Sequence, residues 1–139
     1  MLVAPGGANT IVQPVSNGPW MGWQTSFVAE ASLEVPSVDM LMASVARVAG
    51  RQAVGVVLTG LGNDGTRGAQ AIGQQGGDGV AQDAATCQVF GMPKAGIQAG
   101  HATAVLPLPA IAGYVVQYAQ QQSISRVLRY SSSQPVLAR

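Results

Sequence analysis

Ala53-Val54-Gly55-Val56-Val57-Leu58-Thr59-Gly60-Leu61-Gly62-Asn63-Asp64-Gly65 is the stretch that decides the fold of this chain. Ala53–Thr59 is apolar on both faces, the pattern of a strand buried in a parallel sheet. Gly60–Gly65 form a glycine-rich loop, and Thr66–Gln75 follow as a helix that Gly76-Gly77 end. A short strand is expected near Gly79–Gln82. Strand, loop, helix and strand in this succession imply parallel pairing with a right-handed crossover.

The pattern continues in both directions. Upstream, Ser37 is placed to cap a helix with Val38, Leu41, Met42, Val45 and Val48 on one face, stopped by Gly50. Downstream, Pro93 suits the first turn of a short helix that Gly100 closes, and Ala102–Leu106 form another strand. Pro109 begins a helix with Ile111, Tyr114, Val115 and Tyr118 on one face, and the tail from Ser123 reads as frayed or extended. Met1–Pro36 lacks a helical period. Its β-type runs, Ile11–Val15 and Trp23–Val28, are separated by Ser16-Asn17-Gly18-Pro19 and predict a hairpin-like region. The fold class is α/β: a doubly wound three-layer sandwich with a mostly parallel sheet, represented by its C-terminal half plus an N-terminal hairpin.

Composition narrows the function classes. The 139 residues carry a net charge of +1, and only 9% are charged, against a usual share of about 25%. A polybasic face for nucleic acid is therefore excluded as a driving feature. With 47% hydrophobic residues the chain is not intrinsically disordered. No run approaches the ~20 apolar residues of a membrane span, and no charged-then-apolar signal peptide opens the chain. A cytoplasmic protein without membrane insertion is expected. Cys87 and His101 are the only residues of their types, too few for the usual four-ligand zinc site. No metal or other cofactor is expected.

The glycine-rich loop has several readings. G-x-G-x-x-G after a strand, with Asp83 near the end of the next one, matches a dinucleotide fingerprint. Asp64 argues against it, because a carboxylate at the helix N-terminus would occupy the anion site and repel phosphates. Asp64 also suits the orienting role in a Ser-His-Asp arrangement, where glycine backbone and a helix N-terminus would stabilise the anion. In the plain structural reading it caps the following helix. His101 precedes a strand and Asp64 follows one, so they belong at opposite sheet edges, ~16–23 Å apart for a strand of this length. A triad contact needs about 3 Å. Ser26 and Ser37 have no base in reach, and Cys87 reads as a small buried side chain. Met40 and Met42 read as core, Trp20 and Trp23 as cover for a sheet edge, and Arg126 and Arg129 as solvated.

Several stretches resemble the catalytic domain of the chemotaxis-type protein-glutamate methylesterases, the CheB family. They are Ala4-Pro5-Gly6, Pro36-Ser37-Val38-Asp39, Val57–Gly65, Ala81-Gln82-Asp83, Val89-Phe90-Gly91-Met92-Pro93-Lys94-Ala95 and Val105-Leu106-Pro107-Leu108. They keep the family's order from about residue 36 to 116. The resemblance implies hydrolysis of glutamate methyl esters, and deamidation of glutamine by some members, on bacterial chemoreceptors. It places the triad acid on Asp64. Thr59, Gly60, Leu61, Gly62 and Asn63 fall beside the substrate and oxyanion region, and Phe90, Gly91, Met92 and Pro93 on the rim. Leu61 departs from the family's usual methionine, conserving volume.

The family's Gly-x-Ser-Thr-Gly-Gly loop, which carries the serine, is absent from these residues, and no histidine precedes position 101. Residues 1–122 are thus expected to be a methylesterase domain lacking its N-terminal strands, with 123–139 a C-terminal tail, inactive alone. Methylated chemoreceptors are the expected partners, together with a receiver domain or the missing N-terminal half. An uncovered edge of the hydrophobic sheet predicts self-association. The alternatives are a non-catalytic receptor-binding or partner-binding module of a chemosensory system, and nucleotide binding through Gly60–Gly65.

Overall fold

Ser37 starts the first helix, α1 (Val38–Ala49), by accepting the Met40 amide on its hydroxyl, and Gly50 ends it with a φ of 54° that favours glycine. The structure, a computed structural model, describes residues 1–15, 22–29, 32 and 34–133, with 126–133 described by backbone alone. The Ser16–Pro19 turn, Trp20 and the side chains of Arg126 and Arg129 lie outside what it describes.

Before α1, β1 (Asn9–Val15) and β2 (Gly22–Val28) pair antiparallel, Asn9 opposite Val28 and Val15 opposite Gly22, as the hairpin reading predicts. After it, β3 (Val54–Val57), β4 (Asp78–Gln82) and β5 (Ala104–Leu106) form a parallel sheet in that order. Between the strands run α2 (Thr66–Gln74) and α3 (Met92–Gln98), and α4 (Leu108–Ser133) follows the sheet. Val80 and Ala81 point to opposite faces of β4, yet are only 2% and 3% exposed. The central strand is therefore covered on both faces, as a three-layer α/β arrangement requires.

The core joins α1, β3 and α2 through Met42, Ala46, Ala53, Val57 and Ile72, with Val38, Val45 and Met92 packed against it. The apolar stripe along α1 identifies one of its two buried sides. The other rests on small residues: Ser44 is fully buried, and its hydroxyl accepts the Val12 amide from β1 at 2.9 Å. Met42 is core and Met40 only half-buried. Trp23 is 57% exposed on β2.

Three expectations need correction. β3 ends at Val57 instead of Thr59, because Thr59 turns its amide to the Gln82 side chain (2.9 Å) and leaves the ladder. Leu58 is accordingly 43% exposed. The tail from Ser123 is helical to Ser133, since glutamine, serine and isoleucine propagate an established helix without a glycine or proline to stop it. Cys87 is half-buried, not sealed in the core.

Tyrosines on α4 tie that helix to the body. Tyr114 donates to Asp78 Oδ2 at 2.6 Å, and the Tyr118 hydroxyl donates to the Arg51 carbonyl. The hydrogen bond to Asp78, then burial and the Asp78 charge, push the Tyr114 phenol up from 10.0 to about 12. A folded-state value above the unfolded one means that the attachment is intact below pH 10 and is lost as pH rises toward about 12. A tyrosinate absorbance titration should show a late-ionising group that Tyr114→Phe removes. The same substitution should lower stability near neutral pH by about 1 kcal/mol.

Candidate functional site

The carboxyl ends of β3 and β4 carry the loops on which most of the singled-out residues lie. Thr59, two residues beyond β3, pairs with Val89 in both directions: its hydroxyl accepts the Val89 amide (2.8 Å) and donates to the Val89 carbonyl (3.2 Å). Gly60 continues this pairing. Its amide donates to the Val89 carbonyl at 3.0 Å, and its carbonyl accepts from Gly91 and Met92 at 3.1 and 2.8 Å. Gly91 has to be small here, because a Cβ would lie 2.6 Å from the Gly60 carbonyl oxygen. The Thr59–Asn63 loop and the Phe90–Pro93 segment therefore form one surface, with Leu61 87% exposed upon it.

Gln82 holds this surface from below. It is 1% exposed, accepts the Thr59 amide on Oε1, and donates from Nε2 to the Thr86 carbonyl (2.8 Å) and hydroxyl (3.2 Å). The Thr86 hydroxyl donates to Asp83 at 2.6 Å and accepts the Leu108 amide at 3.1 Å. One buried amide and one hydroxyl thus lock the loops after β3, β4 and β5 together. Gln82→Ala would strand the Thr59 amide and the Thr86 carbonyl, so urea unfolding should show a loss of about 2 kcal/mol.

Asp64 is 8% exposed and held by four donors. Oδ2 accepts the Val38 amide at 2.7 Å. Oδ1 accepts the Asp39 amide (2.9 Å), the Gly65 amide (3.0 Å) and the Ser37 hydroxyl (3.3 Å). Val38 and Asp39 are the first residues of α1, so the carboxylate sits on the positive end of that helix. The capping expectation is corrected accordingly: Asp64 caps α1, the preceding helix in sequence. The start of α2 is served by Asp39, whose Oδ1 accepts the Gly65 and Gly68 amides at 3.0 and 2.7 Å and whose Oδ2 pairs with Arg67 at 3.0 Å. Each helix start is closed by an aspartate from the other. Gly65 makes the crossing possible with a φ of 94°.

This arrangement also bears on the dinucleotide fingerprint. The Gly65 and Gly68 amides, which would cradle a pyrophosphate, already hold the Asp39 carboxylate, and the Gly65 amide is shared with Asp64, to which the sequence pointed. Asp83 is engaged in its own turn with Thr86. His101 lies before β5, at the sheet edge opposite Asp64, beside a groove of about 360 Å³ with Gln70, Gln74 and Thr103. Ser26 donates to Gln13, and Ser37 acts as a cap. Among the described residues no three His, Cys, Asp or Glu side chains gather as metal ligands, and no helix is long and apolar enough to cross a membrane.

Asp39 and Thr86 are the residues that the sequence reading passed over. Asp39 stands in the quoted Pro36–Asp39 motif, and an acid in the first turn of a helix is a recognisable signal, but its partners lie 26 to 29 residues away.

Fold and site together define an α/β domain of the doubly wound kind, its polar loops gathered at the carboxyl ends of parallel strands. The sequence profile of the CheB methylesterase family matches residues 1–115, and the chain belongs to that family. A protein-glutamate methylesterase/protein-glutamine glutaminase of Moorella thermoacetica is 45% identical over 118 residues, covering 83% of this chain and 27% of the relative. One from Anaeromyxobacter dehalogenans is 44% identical over 118 residues, covering 79% of this chain and 30% of its own length. The chain thus spans less than a third of these curated relatives. The crystal structure of the Thermotoga maritima CheB methylesterase catalytic domain superposes with a TM-score of 0.76 at 34% identity, over 82% of this chain and 59% of that one.

Proposed function

We propose that this chain supplies the acid and the loop surface of a protein-glutamate methylesterase site acting on methylated chemoreceptors in the cytoplasm. The observation that carries this reading is the Asp64 carboxylate. It is fixed by four donors, yet Oδ2 receives only one of them. A carboxylate oxygen takes about two donors, so Oδ2 keeps a lone pair for an imidazole N–H. In that role Asp64 selects the histidine tautomer and stabilises the imidazolium formed when the histidine takes the serine proton. The serine oxygen bonds to the ester carbon, methanol leaves with that proton, and water releases the free glutamate. A glutamine substrate would lose ammonia by the same steps.

The serine and histidine belong to sequence not contained in these residues, so this polypeptide by itself is inactive in this reading. Thr59–Asn63 frame the oxyanion region and Phe90–Pro93 its rim. β3 offers a docking edge for the complementary part, since it pairs with β4 alone among the described strands. Unpaired parallel edges recruit other chains. Light scattering should therefore find the isolated chain self-associated, and a one-to-one complex once a segment bearing Gly-x-Ser-Thr-Gly-Gly and the histidine is added. A stable, soluble monomer would count against the open edge.

The deciding experiment is methanol release from methylated receptor by this chain, alone and mixed with that segment. Release only from the mixture supports the esterase reading. A folded complex without release favours a non-catalytic receptor-binding module.

A further inference from the structure

The crossed aspartates have a consequence for the site itself. We propose that Asp39 is a positioning residue for Asp64, acting through Gly65 and the start of α1; this rests on the reading of Asp64 as the acid that orients a histidine. Asp39 touches neither substrate nor histidine in this scheme. Its backbone amide holds Asp64 Oδ1, and its side chain holds the amides of Gly65 and Gly68. The Gly65 amide is shared, 3.0 Å from Oδ1 of either aspartate. The two carboxylates are therefore linked through one N–H group, and neither helix start can move without the other.

The linkage sets which oxygen of Asp64 is left open. Three donors crowd Oδ1: the Asp39 amide, the Gly65 amide and the Ser37 hydroxyl. Val38 alone donates to Oδ2. Removal of the Asp39 side chain takes one of its two acceptors from the Gly65 amide and the acceptor from Gly68, which loosens the Gly65 peptide and lets Asp64 rotate among its donors. The distribution of donors over Oδ1 and Oδ2 is then lost. Arg67 contributes little, because its side chain is 84% exposed. Asparagine at position 39 retains an acceptor oxygen for Gly65 and Gly68 and ranks with aspartate as a cap.

Two readouts test the proposal on Asp39→Ala, Asp39→Asn and Arg67→Ala. In the 139-residue chain, amide hydrogen exchange should quicken at Val38 by about 5-fold to 10-fold in Asp39→Ala. Val80 and Ala81 in β4 should be unchanged, and Asp39→Asn and Arg67→Ala should match the parent. In the mixture with the serine-bearing and histidine-bearing segment, Asp39→Ala should lower kcat by about 10-fold or more at constant KM, and Asp39→Asn should restore it. Faster exchange confined to Gly65 and Gly68, with Val38 unmoved, would reduce Asp39 to a cap of α2 and overturn the proposal.

Should the alanine variant loosen β4 as well, Asp39→Glu decides. Its carboxylate is one methylene too far out for the two glycine amides, so Val38 should again exchange faster; parent-like exchange overturns the linkage. The acid role is judged separately. If Asp64→Ala leaves turnover of the mixture intact, that reading fails whatever the exchange data say. If Asp64→Ala abolishes turnover while Asp39→Ala changes neither kcat nor Val38 exchange, the positioning role alone is overturned.

Discussion

Asp64→Ala should reduce methanol release from the complemented enzyme by about 10⁴-fold, the scale on which a misoriented triad histidine loses activity. The loss should fall on kcat, because in the proposed mechanism Asp64 contacts the histidine and not the substrate. Stability should fall too. Alanine leaves the Val38 and Asp39 amides at the start of α1 without their acceptor, at about 1–2 kcal/mol. That deficit is small beside the expected loss of turnover, so thermal unfolding and kinetics measured on the same sample separate the two effects. A variant that unfolds little and yet turns over normally would leave Asp64 as a helix cap and nothing more.

Ile72→Ala should produce the largest stability change. Ile72 is 1% exposed on α2 and belongs to the cluster with Met42 and Val57. Its Cδ1 packs directly on Gly55, where a Cβ would stand 2.7 Å away, and glycine has no side chain to fill the cavity. An isoleucine-to-alanine change at such a site costs about 2–5 kcal/mol. Domains have only about 5–15 kcal/mol in total, so this is a large share of it. Urea unfolding should show a midpoint shift with little change in slope. Exposed Leu61→Ala provides the contrast, with stability unchanged within about 0.5 kcal/mol.

Local chemistry made much of the fold legible. The alternation of strand and helix, the Ser37 cap, the Gly50 stop and the hairpin are all written in short stretches, because each depends on neighbours within a few residues. The loop after β3 and the Phe90–Pro93 segment were legible as motifs, and the resemblance named their family. Periodicity was a poorer guide where small residues do the packing. Ser44 buries the second side of α1 against β1, and it does not announce itself as core.

The sequence by itself determined the α/β class and the parallel order implied by short strands and crossover helices, and the family resemblance pointed to Asp64 as the candidate acid. Only the tertiary structure decided what Asp64 is bonded to. Carboxylates go to the nearest unsatisfied helix N–H groups in space, and the chain crossing at Gly65 puts those on α1 for Asp64 and on α2 for Asp39. The same rule explains Gln82 and Thr86: a buried amide must find partners wherever the loops of a parallel sheet converge. Hydrogen bonds between residues more than 20 positions apart leave no periodic trace, so they emerge once the strands have brought the loops together.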